Sequence, residues 1–316
     1  MIPLCRPVFT GREREYVEEC LRTGWVVTGA FIERFEEALS KRYHGAHVVT
    51  VNSGTTALTL VLKAFHVAFV TIPVLTFKAT MNAVYAAGAI VNLKDVELTS
   101  WVLTGTLPGD IIAVDLNGVS SPAIGEVTVH DAAGALGYMM LSHTMVVSFN
   151  ANKIITTAGG GAVITRDAST AKRIGEMSRH RRDGEETRGE ANLMLTNLQA
   201  AIGLAQMEQF EEKLAAKKRI AERYTAELGS DFTPQAVPPG MTTNHWLYSV
   251  RCLDADHRQR VERAMAVADI EVRRMWKPLA YGPNAEAIYA TALSLPCSVD
   301  LSERDQETVI RCARMA

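Results

Sequence analysis

Val146-Val147-Ser148-Phe149-Asn150-Ala151-Asn152-Lys153, followed by Thr156-Thr157-Ala158-Gly159-Gly160-Gly161, is the stretch on which the reading of this chain turns. Its apolar, β-branched start predicts a buried strand. The strand delivers a serine and then a lysine into a glycine-rich turn with no acidic residue to pair with the lysine. Taken alone, such a lysine reads as a strand-end side chain with its ammonium in water. Its companions along the chain point the other way.

Outward from this strand, short apolar segments at 48–52, 70–74, 90–93, 111–116, 127–131 and 161–165 alternate with helical or loop segments. Near-continuous apolar strands of this kind suit a mostly parallel sheet covered on both faces, which predicts an α/β/α large domain. Helices are expected at 11–23 and 31–43, and one long helix over 199–228 leads out of the domain. After a proline-rich linker at 234–240, a strand at 246–250, a helix at 257–268, a segment at 270–276 and a last helix from Ser302 make a smaller α+β unit. The expected division is 1–228 and 229–316.

The length of 316 residues, with 47% apolar and 22% charged, allows a sizeable core and about two ordinary domains. A net charge of −2 gives nothing global to steer the chain to nucleic acid or to an anionic membrane, so any anion binding must be local. Cys5, Cys20, Cys252, Cys297 and Cys312 are scattered without a CxxC pair, against a disulfide framework and against a zinc site. No histidine or cysteine cluster has metal-ligand spacing. The start lacks a signal-type apolar region and no run is long enough to span a bilayer, so a cytoplasmic protein without membrane partners is expected.

Several residues beyond Lys153 carry chemistry. Asn52-Ser53-Gly54-Thr55-Thr56 lies between a strand and an amphipathic helix bearing Leu58, Val61, Leu62 and Phe65. Free amides at a helix start attract phosphate and Gly54 admits close approach, although the same residues also make an ordinary N-cap. Asp131 ends an apolar strand, where it either caps or faces a cation such as a protonated ring nitrogen. Phe77 can lie on a flat ring or in the core. Ser148 offers a further hydroxyl to a phosphate.

Taken in order, these residues resemble the DegT/StrS group of pyridoxal-phosphate nucleotide-sugar aminotransferases. The resemblance runs over Ile2-Pro3-Leu4, Gly24-Trp25 with Thr28-Gly29, Ser53-Gly54-Thr55, Pro73 to Thr80, Asp131-Ala132-Ala133, Ser148 to Lys153, Gly160-Gly161, Asn192 to Gly203, and Leu293-Ser294-Leu295-Pro296. It implies the aspartate-aminotransferase-like fold (fold type I) and pyridoxal 5'-phosphate (PLP) as cofactor, with PMP as its aminated form. Lys153 matches the lysine that holds the cofactor as a Schiff base and shuttles a proton, and Asp131 the acid that keeps the pyridine nitrogen protonated. Ala133 and Phe77 resemble the residues packed on the two ring faces, and Ser53, Gly54, Thr55 and Ser148 the phosphate-binding positions. Asn192 resembles an asparagine that reaches the phosphate of a neighbouring subunit, implying a homodimer with shared active sites. The implied reaction moves an amino group from L-glutamate to a keto group of a nucleotide-linked sugar.

The chain also departs from the family pattern. Gly134 stands where a glutamine or histidine reaches the cofactor's phenolic oxygen, Gly159 where the glycine-rich turn has a glutamate, and Met194 where an arginine is usual. The loop before Val70 and the segment 118–126 are short, which reshapes a cleft built from loops. His180, with Arg181, Arg182 and Asp183, reads as a substrate segment or a solvated turn. Arg273, Arg274 and Lys277 beside Trp276 read as a diphosphate site or a surface run. Trp25 and Thr28 read as sugar-pocket residues, or Trp25 as packing for the first helix. His245 and Trp246 resemble a common family pair without an assignable role. A PLP enzyme acting on another amine or carbonyl, by transamination or decarboxylation, and a catalytically silent relative used for regulation or assembly are the alternatives. Asp131 and Lys153 together favour an enzyme.

Overall fold

The computed structural model describes residues 1–137, 142–178 and 191–316. Strands β1 (His47–Val51), β2 (Phe69–Pro73), β3 (Ile90–Lys94), β4 (Ile111–Val114), β5 (Thr128–Asp131), β6 (Thr144–Ser148) and β7 (Gly161–Thr165) form a seven-stranded sheet in the order β1-β7-β6-β5-β4-β2-β3. The β6-β5-β4-β2-β3 run is parallel throughout, and β7 is antiparallel to both β6 and β1. The near-continuous apolar strands follow from two covered faces. Val146 and Val163 pack into one core and their neighbours Met145, Val147, Ala162 and Ile164 into the other, as a period of two requires.

The second of these cores is closed by α1 (Glu13–Thr23), α2 (Ala30–Arg42) and, later in the chain, residues of α6 (Asn197–Glu208). The first is closed by α3 (Gly54–Ala64), α4 (Lys78–Ala87) and α5 (Ala168–Ser178). Each helix that begins after a parallel strand starts at that strand's carboxyl end, so its N-terminus faces the same edge of the sheet.

The expected single helix over 199–228 is two helices, α6 and α7 (Phe210–Glu227), broken at Gln209 with φ −108° and ψ 11°. Helical periodicity continues on both sides of the break, so sequence pattern alone does not mark it. The N-terminal segment docks there, with Thr10 Oγ1 donating to Gln209 Oε1 at 2.7 Å.

Beyond α7, β8 (Phe232–Pro234), β9 (Tyr248–Cys252), β10 (Arg273–Arg274) and β11 (Ala292–Leu295) form an antiparallel sheet in the order β10-β11-β9-β8. Helices α8 (Ala255–Val267), α9 (Pro283–Thr291) and α10 (Glu303–Arg314) accompany it. The chain start joins this unit: Ile2 N–H donates to Asp269 O and Leu4 O accepts from Cys297 N–H, both at 2.8 Å. The strand expected from residue 246 begins two residues later, because Asn244 to Leu247 bends inward with His245 at φ 52°. Among the described residues no helix is long and apolar enough to cross a membrane.

Candidate active site

The carboxyl ends of β4, β5 and β6, the starts of α3 and α4, and the segments before β9 and around β10 enclose one cavity of about 310 Å³. Carboxyl ends of parallel strands gather ligand-binding groups because their loops converge on one edge of the sheet. Lys153, Asp131, Ser53, Gly54, Thr55, Phe77, Ala133, Ser148, Arg273 and Trp276 all line this cavity.

At its floor, Ser53 caps α3: its Oγ accepts from Thr56 N–H at 3.1 Å and lies 2.8 Å from Thr56 Oγ1. That hydroxyl serves the N-cap. The next amides, those of Gly54 and Thr55, have no acceptor within the helix and carry the positive end of its dipole. A Cβ on Gly54 would lie 3.1 Å from Ser148 Cβ, so glycine is what lets the Ser148 side chain approach the helix start. β7 presses more closely still, since a Cβ on Gly161 would lie 2.6 Å from Gly54 N. Gly161→Ala is therefore expected to push the first turn of α3 off β7, at a cost of about 1–3 kcal/mol, and to weaken anion binding at that turn. Thermal melting and a cofactor titration check it; two unchanged values would mean the contact is slack.

Asp131 is 6% exposed. Its Oδ2 accepts from Thr80 Oγ1 at 2.7 Å, and its Oδ1 from Ala133 N–H at 3.2 Å. Thr76 Oγ1, 2.9 Å from Thr80 Oγ1, completes the chain of hydroxyls. Burial pushes the carboxyl above its ordinary range, against the pull of Thr80, Ala133 and Lys153. Among the described residues no cation forms an ion pair with it, and a buried carboxylate without one is costly. Behind it, His130 Nδ1 lies 3.0 Å from Asp115 Oδ1, which also accepts from Ser121 N–H at 2.9 Å. Burial opposes charge on His130, but Asp115 outweighs it and raises the imidazole pKa.

Lys153 follows β6 by a turn in which its N–H donates to Asn150 O at 2.9 Å. The residue is half-buried and its residual exposure is to the cavity it lines. Desolvation lowers its pKa to about 7, Asp131 opposes the shift and Arg273 adds to it. At neutral pH a large share of the amine is thus uncharged and nucleophilic. Its Nζ sits 3.4 Å from the ring centroid of Trp246. Arg273 lies between two indoles, 5.8 Å from Trp246 and 5.2 Å from Trp276, and the Phe77 ring is 5.8 Å from that of Trp276. A flat, anionic heterocycle with one protonatable nitrogen and a carbonyl fits these groups: anion at the start of α3, nitrogen opposite Asp131, carbonyl within reach of Lys153.

Other expected site residues fall elsewhere. Trp25 is 62% exposed and Thr28 is exposed, and neither lines the cavity, so within one chain neither forms a sugar pocket and Trp25 is not packed under the first helix. Gly24, left-handed at φ 75°, ends α1 and turns this segment outward, where the carbonyls of Val26 and Val27 accept from the first amides of α6. Asn192 is also exposed and outside the cavity. His180, with Arg181, Arg182 and Asp183, lies outside the described residues. Two contributors go without a role in the sequence. Thr80 is visible only as the end of the Pro73 to Thr80 block. Trp246 has a signal in hindsight, the glycine at 134, since a Cβ there would lie 2.2 Å from the indole Cε3.

The model of the DegT/DnrJ/EryC1/StrS aminotransferase family matches residues 8–107 and 121–314. The GDP-perosamine synthase of Caulobacter vibrioides is 32% identical over 98% of this chain and 96% of its own. The putative pyridoxal phosphate-dependent aminotransferase EpsN of Bacillus subtilis is 27% identical over 98% and 94%. A putative sugar aminotransferase from Streptococcus pneumoniae, solved in its PMP form, superposes with a TM-score of 0.89 at 23% identity, covering 99% of this chain and 97% of that one. With these likenesses spanning both sheets and the cavity between them, the chain belongs to the DegT/DnrJ/EryC1/StrS aminotransferase family.

Proposed function

We propose that this PLP-dependent aminotransferase transfers an amino group from L-glutamate to a keto group of a nucleotide-linked sugar, acting as a cytoplasmic homodimer. The observation that carries the reading is a lysine amine with pKa lowered to about 7 in the same cavity as a buried carboxylate that no cation among the described residues pairs with directly. The GDP-perosamine synthases among its relatives support a nucleotide-sugar acceptor.

When bound, the cofactor supplies a ring that takes up the electrons released as a proton leaves the donor's α-carbon. The protein does the rest. The amides of Gly54 and Thr55 and the Ser148 hydroxyl would hold the phosphate, and Ala133 and Phe77 would flank the ring. The Asp131 carboxylate, oriented by Thr80 and Ala133 N–H, keeps a proton on the ring nitrogen. Lys153 Nζ would hold the cofactor and carry the proton, which its lowered pKa would allow it to accept and return near neutrality. Arg273, with no carboxylate bonded to its guanidinium among the described residues, meets an anionic group of donor or acceptor. Asn192, exposed and outside its own cavity, reaches the phosphate of the neighbouring subunit. The exposed Leu21, Trp25, Val26 and Val27 supply apolar surface for that interface.

Cofactor uptake is expected to accelerate as pH rises through about 7, and to level off once Lys153 is largely neutral. At Lys153 the cofactor-free fold binds fewer protons than the unfolded chain between about 7 and the ordinary 10.5, so this residue's contribution to stability rises with pH across that window, read as the difference between the parent and Lys153→Met. Stopped-flow uptake rates and melting curves from pH 6 to 10 check both signs.

Incubating the coloured protein with glutamate and a panel of nucleotide ketosugars, with mass detection, tests the whole reading. Bleaching by glutamate separates an aminotransferase from a silent relative. Transfer to no sugar but to some other carbonyl would replace the proposed acceptor.

A further inference from the structure

Trp246 belongs to the segment before β9, yet its indole lies against a lysine delivered by β6. The Lys153 Nζ rests 3.4 Å from the ring centroid, close enough for the ring quadrupole to attract an ammonium. The indole is 4% exposed and held at several points. Its Nε1–H donates to Asn152 O at 2.7 Å, which fixes the peptide immediately before Lys153. Its backbone N–H donates to Asn244 Oδ1 at 2.8 Å, and its carbonyl accepts from the buried Lys217 Nζ at 3.0 Å. Asn244 in turn donates to the carbonyls of Gly134 and Leu136 at 2.9 and 3.0 Å, tying the segment to the loop after Asp131.

Gly134 makes this arrangement possible. A Cβ there would lie 2.2 Å from Cε3 and 2.7 Å from Cζ3, atoms of a ring with nowhere to swing. In this arrangement a side chain at 134 would require the indole at 246 to shift. The chain fills that wall of the cavity with a residue from its second sheet unit instead of one from its first.

We propose that Trp246 is a positioning residue for Lys153: its face seats the amine whenever the amine is not bonded to cofactor, and its N–H fixes the peptide that carries it. The proposal rests on Lys153 being the cofactor-holding lysine. In each half-reaction the freed amine must stay beside the reacting carbon while it carries a proton, and a seat on the cavity wall limits its wandering. The charged and titratable groups acting on that seat are Asp131, Arg273 and Cys5 on the amine, and Lys217 and Cys297 on the carbonyl side of Trp246.

Tryptophan emission of the full-length chain, freed of cofactor and titrated from pH 5.5 to 9, tests the seat. The four tryptophans are Trp25, Trp101, Trp246 and Trp276. The parent is expected to show a transition with a midpoint near about 7, where Lys153 changes charge beside one of them. Lys153→Met, which leaves every indole in place, and Trp246→Phe, which leaves the lysine, should each abolish it. In the loaded enzyme, Trp246→Leu should lower kcat about tenfold with the donor KM within about twofold, and Trp246→Phe should recover most of the loss. A transition that survives Lys153→Met, or a parent without one, overturns the proposal. A raised KM with unchanged kcat overturns it too, by making Trp246 a substrate wall. Because the emission experiment needs no substrate, it still decides the seat if no sugar is ever aminated.

Discussion

Lys153→Ala is expected to lower amino transfer by about 10⁴-fold or more, because on the proposed reading it removes at once the nucleophile that holds the cofactor and the base that moves the proton. No substitute stands nearby. Among the described residues lining the cavity the other cation is Arg273, whose guanidinium stays charged at any working pH and cannot serve as nucleophile or base. Lys217 is close in space, but its amine is turned to the carbonyls of Trp246 and Cys297, behind the cavity wall. The parent protein should be coloured, with its chromophore fixed to the chain by borohydride. The variant should release that chromophore or hold it only non-covalently. Mass spectrometry after reduction reads the difference, and a borohydride-reducible linkage persisting in Lys153→Ala would refute the role given to this residue.

How much of this was legible in the sequence follows from how each feature is encoded. The inner strands of the sheet are buried over most of their length because both faces are covered, while the edge strand β3 alternates, with Ile90, Asn92 and Lys94 exposed; both patterns are local. Asp131 stands out because an acid at the end of a buried strand is anomalous, and Lys153 because the turn after such a strand holds no acid to pair with it; both anomalies are local too. The break between α6 and α7 is not, since it falls at Gln209, where Thr10 and Gly11, nearly two hundred residues away in sequence, dock against the side chain. Trp246 is the sharper case. The sequence shows a missing side chain at 134 and an indole at 246, but only the fold puts the indole where a side chain at 134 would stand, 2.2 Å from its Cβ, so the two features read as unrelated. Trp25 and Thr28 lie away from their own chain's cavity for a related reason: a motif marks residues that stay together, and says nothing of whose cavity they meet.

Asp131→Asn should separate the chemical role of the carboxylate from any structural one, because the two predict changes of opposite sign. The amide is nearly isosteric: its oxygen still accepts from Ala133 N–H, and the Thr80 hydroxyl can rotate to accept from the new NH₂. What is lost is the charge that keeps the ring nitrogen protonated, and amino transfer should fall about 10³-fold, as when a fixed group aimed at developing charge is removed. Stability should move the other way. Burial raises the carboxyl pKa of Asp131, so above that pKa the cofactor-free fold carries a penalty that falls away as pH drops and the group protonates. Asparagine removes that penalty at every pH, and the cofactor-free variant should melt at the same temperature as the parent or higher. The gain on adding cofactor should shrink, because the ring nitrogen no longer meets an anion. Paired melting curves with and without cofactor, beside kcat, read all three quantities. Activity within tenfold of the parent, or a cofactor-free protein clearly less stable than the parent, would make Asp131 a buried capping residue and leave the ring nitrogen without its partner.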